Sequence, residues 1–232
     1  MLLSGIRAVV LDAVGTLIHP APPASVVYAQ VARRWGSHYD GAAIKSRFLQ
    51  AFEHEELTDR RLGWRTSEAR EIERWRHIIA KVLDDVSDPE SCFHTLFDHF
   101  SRPEAWSCDP AIGDVLRQLA QRGFVLGTAS NYDSRLHHVI AGKPELSPIQ
   151  HVIISSEVGW RKPAAEFFAA VCRTIGFAAD QILFVGDALI NDVQGAQAAG
   201  LKAVWFNPSD SQGAAGRICI IDLVELVKQF GY

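Results

Sequence analysis

A chain of 232 residues that is 48% hydrophobic has material for one domain of ordinary size, or for a core carrying a smaller insertion. Its formal net charge of −4 argues against nucleic acid or an anionic membrane as the main partner, and no apolar run is long enough to span a bilayer. The four cysteines, Cys92, Cys108, Cys172 and Cys219, lack C-x-x-C spacing, which sets aside a zinc knuckle or thioredoxin-type pair and leaves buried free thiols.

The first element is the apolar run Ala8-Val9-Val10-Leu11, which ends on Asp12 and continues into Gly15-Thr16-Leu17. It reads as a buried strand delivering a carboxylate to a crevice beyond the strand's carboxyl end. Arg7 and Asp12 interrupt the run and no small-residue cleavage pattern follows, so it is a strand and not a leader; the expected compartment is the cytoplasm.

Residues 21–106 carry helical patterns and no convincing strand. Residues 25–35 end at Gly36; Ile44, Phe48 and Phe52 sit four apart; Ile72, Trp75, Ile79 and Val82 share one face, as do Phe93, Leu96, Phe97 and Phe100. Pro20, Pro22 and Pro23 before this stretch, and Arg102-Pro103-Glu104 after it, read as hinges of an inserted all-helical unit.

From residue 110 onward strands and helices alternate. Helices are expected at 111–122, 135–141, 164–175, 191–199 and 223–230, and strands at 124–129, 151–154, 182–185, 203–206 and 218–221. Strands regularly separated by helices give a mostly parallel sheet covered on both faces, and right-handed crossovers make it doubly wound and Rossmann-like. The expected architecture is therefore an α/β core of residues 1–19 and 107–232 with a helical cap of residues 20–106.

Four segments at predicted strand ends carry chemistry. Asp12 can attack a phosphoryl group, although alone it equally suits a turn before Gly15. Ser130-Asn131 follows the strand ending at Ala129, where a hydroxyl suits a phosphate oxygen or an ordinary helix cap. Lys162-Pro163 opens a helix and can neutralise transferring oxygens, with Arg161 as a rival cation. Gly186-Asp187 and Asp192 place two carboxylates on a loop entering a helix, a set suited to a hard cation.

In order, spacing and strand-end placement these segments resemble the four motifs of the haloacid dehalogenase (HAD) superfamily of hydrolases, from about Arg7 to Pro208. Asp12-Ala13-Val14-Gly15-Thr16-Leu17 resembles the subgroup whose first motif reads D-x-x-G-T-L. The resemblance implies a Mg²⁺-dependent phosphohydrolase acting on a small phosphorylated molecule through an aspartyl-phosphate at Asp12. It assigns catalytic roles to Asp12, Thr16, Ser130 and Lys162 and phosphate binding to Ser130, Asn131 and Lys162. The metal would take Asp12, the Val14 carbonyl, Asp187 and Asp192, and the helical insertion corresponds to the family's cap.

Val14 departs from the pattern, because HAD phosphatases usually carry there a second Asp that protonates the leaving group. General acid–base catalysis of this kind is worth roughly 10²–10⁴-fold. Three readings stay open. A phosphohydrolase would manage through a good leaving group or a substitute acid such as His19 or Asp133. A phosphonatase-like enzyme would need a cap lysine, Lys45 or Lys81; a 2-haloacid dehalogenase would have Tyr at position 14 and no need of the metal, a branch disfavoured here by Gly186-Asp187 and Val14. A non-catalytic protein would bind Mg²⁺ and a phosphorylated ligand or a protein partner. In the cap, Arg60, Arg61 and Arg65 around Gly63 are candidates to face an anionic substrate, a solvated charged linker being the equal alternative. Trp64 and Trp106 either line the crevice or, by default, pack between cap and core.

Overall fold

The computed structural model describes residues 4–209 and 218–229. Its strands are, in chain order, β1 (Ala8–Leu11), β2 (His19–Pro20), β3 (Trp106–Ser107), β4 (Val125–Ser130), β5 (His151–Ile154), β6 (Ile182–Gly186), β7 (Lys202–Phe206) and β8 (Cys219–Ile220). Six of them form one parallel sheet in the order β5-β4-β1-β6-β7-β8, with Asp12 following its central strand. The chain's α/β, doubly wound character is thus as expected from the alternation of elements.

The two-residue period of β1 divides its side chains between two cores. Val9 and Leu11 pack on one face, against helices α5 (Pro110–Gln121), α6 (Arg135–Ala141) and α10 (Val224–Gln229), while Ala8 and Val10 meet α8 (Ala165–Ile175) and α9 (Gly195–Ala198) on the other. A one-turn helix α7 (Ser155–Val158), absent from the expected elements, ends at Gly159 in the left-handed region (φ 86°). Phe230, the expected end of the last helix, lies outside the described residues.

Between β2 and β3 lie α1 (Ala24–Arg33), α2 (Gly41–Arg61), α3 (Glu68–Val82) and α4 (Pro89–His99). Asp40, Ser67 and Asp88 cap the last three, each accepting a backbone N–H three residues on. These four helices share a core of their own, including Val27, Tyr28, Ile44, Ile78, Val82, Phe93 and Leu96. Among the described residues no helix is long and apolar enough to cross a membrane.

Three expectations need correction. The boundary of the helical unit holds more than proline hinges: His19 and Pro20 pair antiparallel with Ser107 and Trp106, so both chain crossings are tied into one short ribbon. The buried surface of α3 is wider than the apolar stripe expected: Trp75, Ile79 and Val82 face the helices' shared core, but Ile72 is exposed, and Glu71 and Arg74 are buried beside the stripe. These two charges are tolerated because Asp59 on α2 and Arg161 in the α/β core supply their partners. The helix expected over 191–199 is a wide π-turn, Leu189–Gln194, leading into α9. Both Asp192 and Val193 N–H groups point at the Ala188 carbonyl, and the Asp192 carboxylate accepts the Ala188 N–H in return, which opens the first turn.

Candidate active site

The four chemical segments converge at the carboxyl ends of β1, β4 and β6. Asp12 continues β1, with its N–H donated to the Val185 carbonyl at 2.8 Å. The chain then turns tightly, the Ala13 carbonyl accepting the N–H groups of Leu17 and Ile18. Gly15 sits in this turn at φ 98°, where a Cβ would come within 2.5 Å of an Asp187 carboxylate oxygen. Thr16 is buried, and its hydroxyl donates to Asp187 Oδ1 at 3.3 Å. A Cβ on Gly186, the residue before Asp187, would land on the Asp192 carboxylate. Two glycines therefore leave room for the two acids to close on the strand ends.

Lys162 lies in the loop before α8, and its side chain is 3% exposed. Its Nζ is 2.6 Å from Asp12 Oδ1 and 2.6 Å from Asp192 Oδ1, and donates to the Ala129 carbonyl at 3.1 Å. Asn131 holds the Lys162 backbone from both sides: its Nδ2 donates to the Lys162 carbonyl at 3.0 Å and its Oδ1 accepts the Lys162 N–H at 2.7 Å. The Asn131 side chain, expected on phosphate, thus places the lysine, and the residue also lines the cavity. Ser130 ends β4, buried and on the cavity wall beside Asp12.

Oxygens of Asp12, Asp187 and Asp192 lie within 4.8 Å of one another. Burial pulls the Lys162 ammonium down, but the carboxylates of Asp12 and Asp192 outweigh it and hold the pKa above its ordinary value. Burial pushes the Asp192 carboxyl up to about 7; Lys162 opposes that rise and Asp12 adds to it. Burial and the Asp12 charge also raise Asp187. One ammonium against three carboxylates leaves uncompensated negative charge, which fits a divalent cation with oxygen ligands.

A cavity of about 430 Å³ opens from these groups towards α1 to α4. Val14 lines it, half-buried against the sheet core, so a hydrocarbon stands where the resemblance leads one to expect an acid. Of the substitutes considered, His19 is exposed in the ribbon and does not line the cavity, and the buried Asp133 carboxylate is gripped by Arg135 at 2.7 Å through both oxygens. Lys45 and Lys81 are exposed, which leaves Lys162 as the one lysine on the cavity wall among the described residues.

Arg60, Arg61 and Arg65 do not line this cavity; all three are exposed at the end of α2 and in the loop after it. Arg65 stacks on Trp160 at 4.5 Å, while the neighbouring Trp64 carbonyl and Thr66 N–H bond Arg161 and Gly159, bracing the loop that carries Lys162. The arginines on the cavity wall are Arg74, Arg135 and Arg161. Arg161, the rival cation, pairs with Glu71 and lies 3.5 Å from Asp59, away from the carboxylate cluster. Trp106 lines the cavity and Trp64 does not. Arg74 escaped sequence reasoning because a cation beside Trp75 on a helix ordinarily faces solvent; its partner Asp59 lies on another helix.

Residues 6–200 match the model of the haloacid dehalogenase-like hydrolase family. Human haloacid dehalogenase-like hydrolase domain-containing protein 3 is 26% identical over 203 residues, covering 85% of this chain and 80% of that protein. Pyrimidine 5'-nucleotidase PynA of Streptococcus pneumoniae is 32% identical over 151 residues, 58% of this chain and 64% of that enzyme. Among solved structures, the HAD-hydrolase YfnB of Bacillus subtilis bound to magnesium superposes with a TM-score of 0.74 at 20% identity, covering 98% of this chain and 99% of that one.

Proposed function

This chain belongs to the haloacid dehalogenase-like hydrolase family, and from that premise we propose that it is a Mg²⁺-dependent phosphohydrolase of small phosphorylated molecules, with Asp12 as the phosphoryl acceptor. The observation that carries this reading is the Lys162 ammonium held 2.6 Å from Asp12, with Asp187 and Asp192 in the same cluster. A binding pocket alone needs no buried carboxylate backed by a lysine and two further acids. Phosphatases among the relatives, the pyrimidine nucleotidase included, point the same way.

In this reading an Asp12 oxygen attacks phosphorus, the bond to the leaving oxygen breaks, and water then cleaves the aspartyl-phosphate to inorganic phosphate and the free carboxylate. Lys162 neutralises charge on the transferring oxygens, the Ser130 hydroxyl orients them, and Thr16 holds the Asp187 carboxylate. Asn131 acts one step removed, by holding Lys162. Asp12, Asp187, Asp192 and the Val14 carbonyl would hold Mg²⁺, which supplies Lewis-acid stabilisation of the phosphoryl group when bound. Residues 20–106 serve as the cap that closes the site against water.

Val14 offers no proton, so leaving groups that depart as stable anions are favoured. The direct test is hydrolysis of acetyl phosphate with Mg²⁺. The native chain is expected to release phosphate and Asp12→Asn to release none. Val14→Asp is expected to extend activity to simple alkyl phosphates by about 10²–10⁴-fold. The missing acid also favours one other reading, a non-catalytic binder of phosphorylated ligands. Phosphate binding without Asp12-dependent turnover in either the native chain or Val14→Asp would establish that reading instead.

A further inference from the structure

Beyond Asp12 the cavity wall is aromatic. Rings run in sequence from the site into the cap: Tyr132, Trp106, Phe100, Tyr28, Phe48 and Trp75, with successive centroids 5.8–6.4 Å apart. The Tyr132 hydroxyl and the Trp106 indole N–H both donate to the Phe100 carbonyl, at 3.2 Å, so these two residues offer the cavity mainly carbon. A polyol laid against these rings would leave the hydroxyls facing them without partners, at a cost on the order of tenfold or more each.

At the cap end stands Arg74, 1% exposed, its guanidinium 4.5 Å from the Phe52 ring centroid. Its Nε donates to Asp59 at 2.8 Å, but its buried Nη2 has no hydrogen-bond partner. Glu56 Oε2 is 3.6 Å away, beyond hydrogen-bond range, while Glu56 Oε1 accepts from the Asn191 amide at 2.9 Å. Arg74 lines the cavity, where a ligand acceptor can fill that donor. The charge of that acceptor follows from the surroundings. The guanidiniums of Arg70, Arg74 and Arg161 face the carboxylates of Glu55, Glu56, Asp59 and Glu71, so the cluster already carries excess negative charge. A neutral acceptor fits and a carboxylate does not.

Resting on the reading of Asp12 as phosphoryl acceptor, we propose that the substrate is an aryl phosphate whose ring bears a neutral hydrogen-bond acceptor, such as a carbonyl, received by Arg74. Val14 points the same way independently. When Asp12 attacks phosphorus, the P–O bond to the ring breaks and the aryloxide leaves with the electron pair, taking its proton from solvent. The acid conjugate to an aryloxide has a pKa of about 10, against about 16 for water and simple alcohols, so no protein acid is needed. Water then cleaves the aspartyl-phosphate, returning the Asp12 carboxylate and inorganic phosphate.

The test compares the native chain and Arg74→Lys with Mg²⁺ present. Arg74→Lys keeps a cation near Asp59, but its single, shorter-reaching nitrogen withdraws the separate Nη2 donor from the ligand. Calorimetry with benzylphosphonate, 4-acetylbenzylphosphonate and hexylphosphonate, none of them hydrolysable, measures recognition apart from leaving-group chemistry. The acetyl group is expected to tighten binding to the native chain about tenfold, an advantage lost in Arg74→Lys, and hexylphosphonate to bind more weakly than either. Phenyl phosphate is expected to turn over at least a hundredfold faster than hexyl phosphate. Equal affinities in the native chain, or equal turnover of aryl and alkyl phosphates, would overturn the proposal. Should that happen while acetyl phosphate is still hydrolysed through Asp12, the phosphohydrolase reading survives; if acetyl phosphate is untouched, both fail.

Discussion

Lys162 meets the Asp12 and Asp192 carboxylates with one ammonium, and the remaining charge sets the response of the site to pH. Asp192 is raised from 3.8 to about 7, so between those values the folded, metal-free chain holds a proton that the unfolded chain has released. Stability then falls as pH rises through that window, because the native state binds more protons. Thermal unfolding in chelator should show a midpoint declining from pH 4.5 to 7.5 by on the order of 5 °C, a decline flattened in Asp192→Asn. Added Mg²⁺ should stabilise the native chain more at pH 8 than at pH 5, since a protonated carboxyl does not ligate. At this scale the acids, Ser130 and Lys162 were legible because each follows a strand that periodicity identifies. Arg74 was not, since its environment is made by residues on other helices. Arg60, Arg61 and Arg65 misled for the converse reason: clustered in sequence, they project away from the cavity.

Among the elements, α2 and α3 are joined to the core by ions rather than by apolar packing alone. Arg161, in the loop before α8, reaches Glu71 and Asp59, which are almost wholly buried. Removing one member of a buried ion cluster costs about 3–5 kcal/mol, because the partners stay charged and unsolvated. Arg161→Met is therefore expected to lower the thermal midpoint by roughly 10 °C, and Arg161→Met with Glu71→Met to recover part of the loss, both read by calorimetry. Helix and strand positions in the core were legible to within a residue or so because each side chain there obeys a single period. Where a side chain engages the backbone, as Asp192 does at Ala188, the period breaks and the expected α-helix becomes a π-turn.

For the molecule as a whole, the seam between the helical insertion and the sheet is held by carboxylates on the helical side. Glu68 accepts from the Ser134 N–H and from the hydroxyls of Ser134 and Ser156, Glu71 from Arg161, and Glu56 from Asn191. Glu68→Ala removes three of these bonds at an exposed rim. It should broaden the particle dimensions seen by small-angle X-ray scattering and raise KM by a few fold while kcat falls less, as expected for looser closure. The run of helices between β2 and β3 was readable from where strands stop and resume; which helical face meets the sheet was not, because the contact is polar on both sides. The ribbon of β2 and β3 has a bearing on how such a chain finds its shape in time. Leu11 and Thr128 bond across 117 residues, a long loop to close. Joining His19 to Ser107 first removes the whole helical insertion from that loop and shortens it roughly fourfold, which lowers the closure entropy by about 1.2 kcal/mol. An early-formed ribbon would let the sheet assemble around β1 as though the insertion were a short turn, and would leave the insertion free to condense on its own schedule.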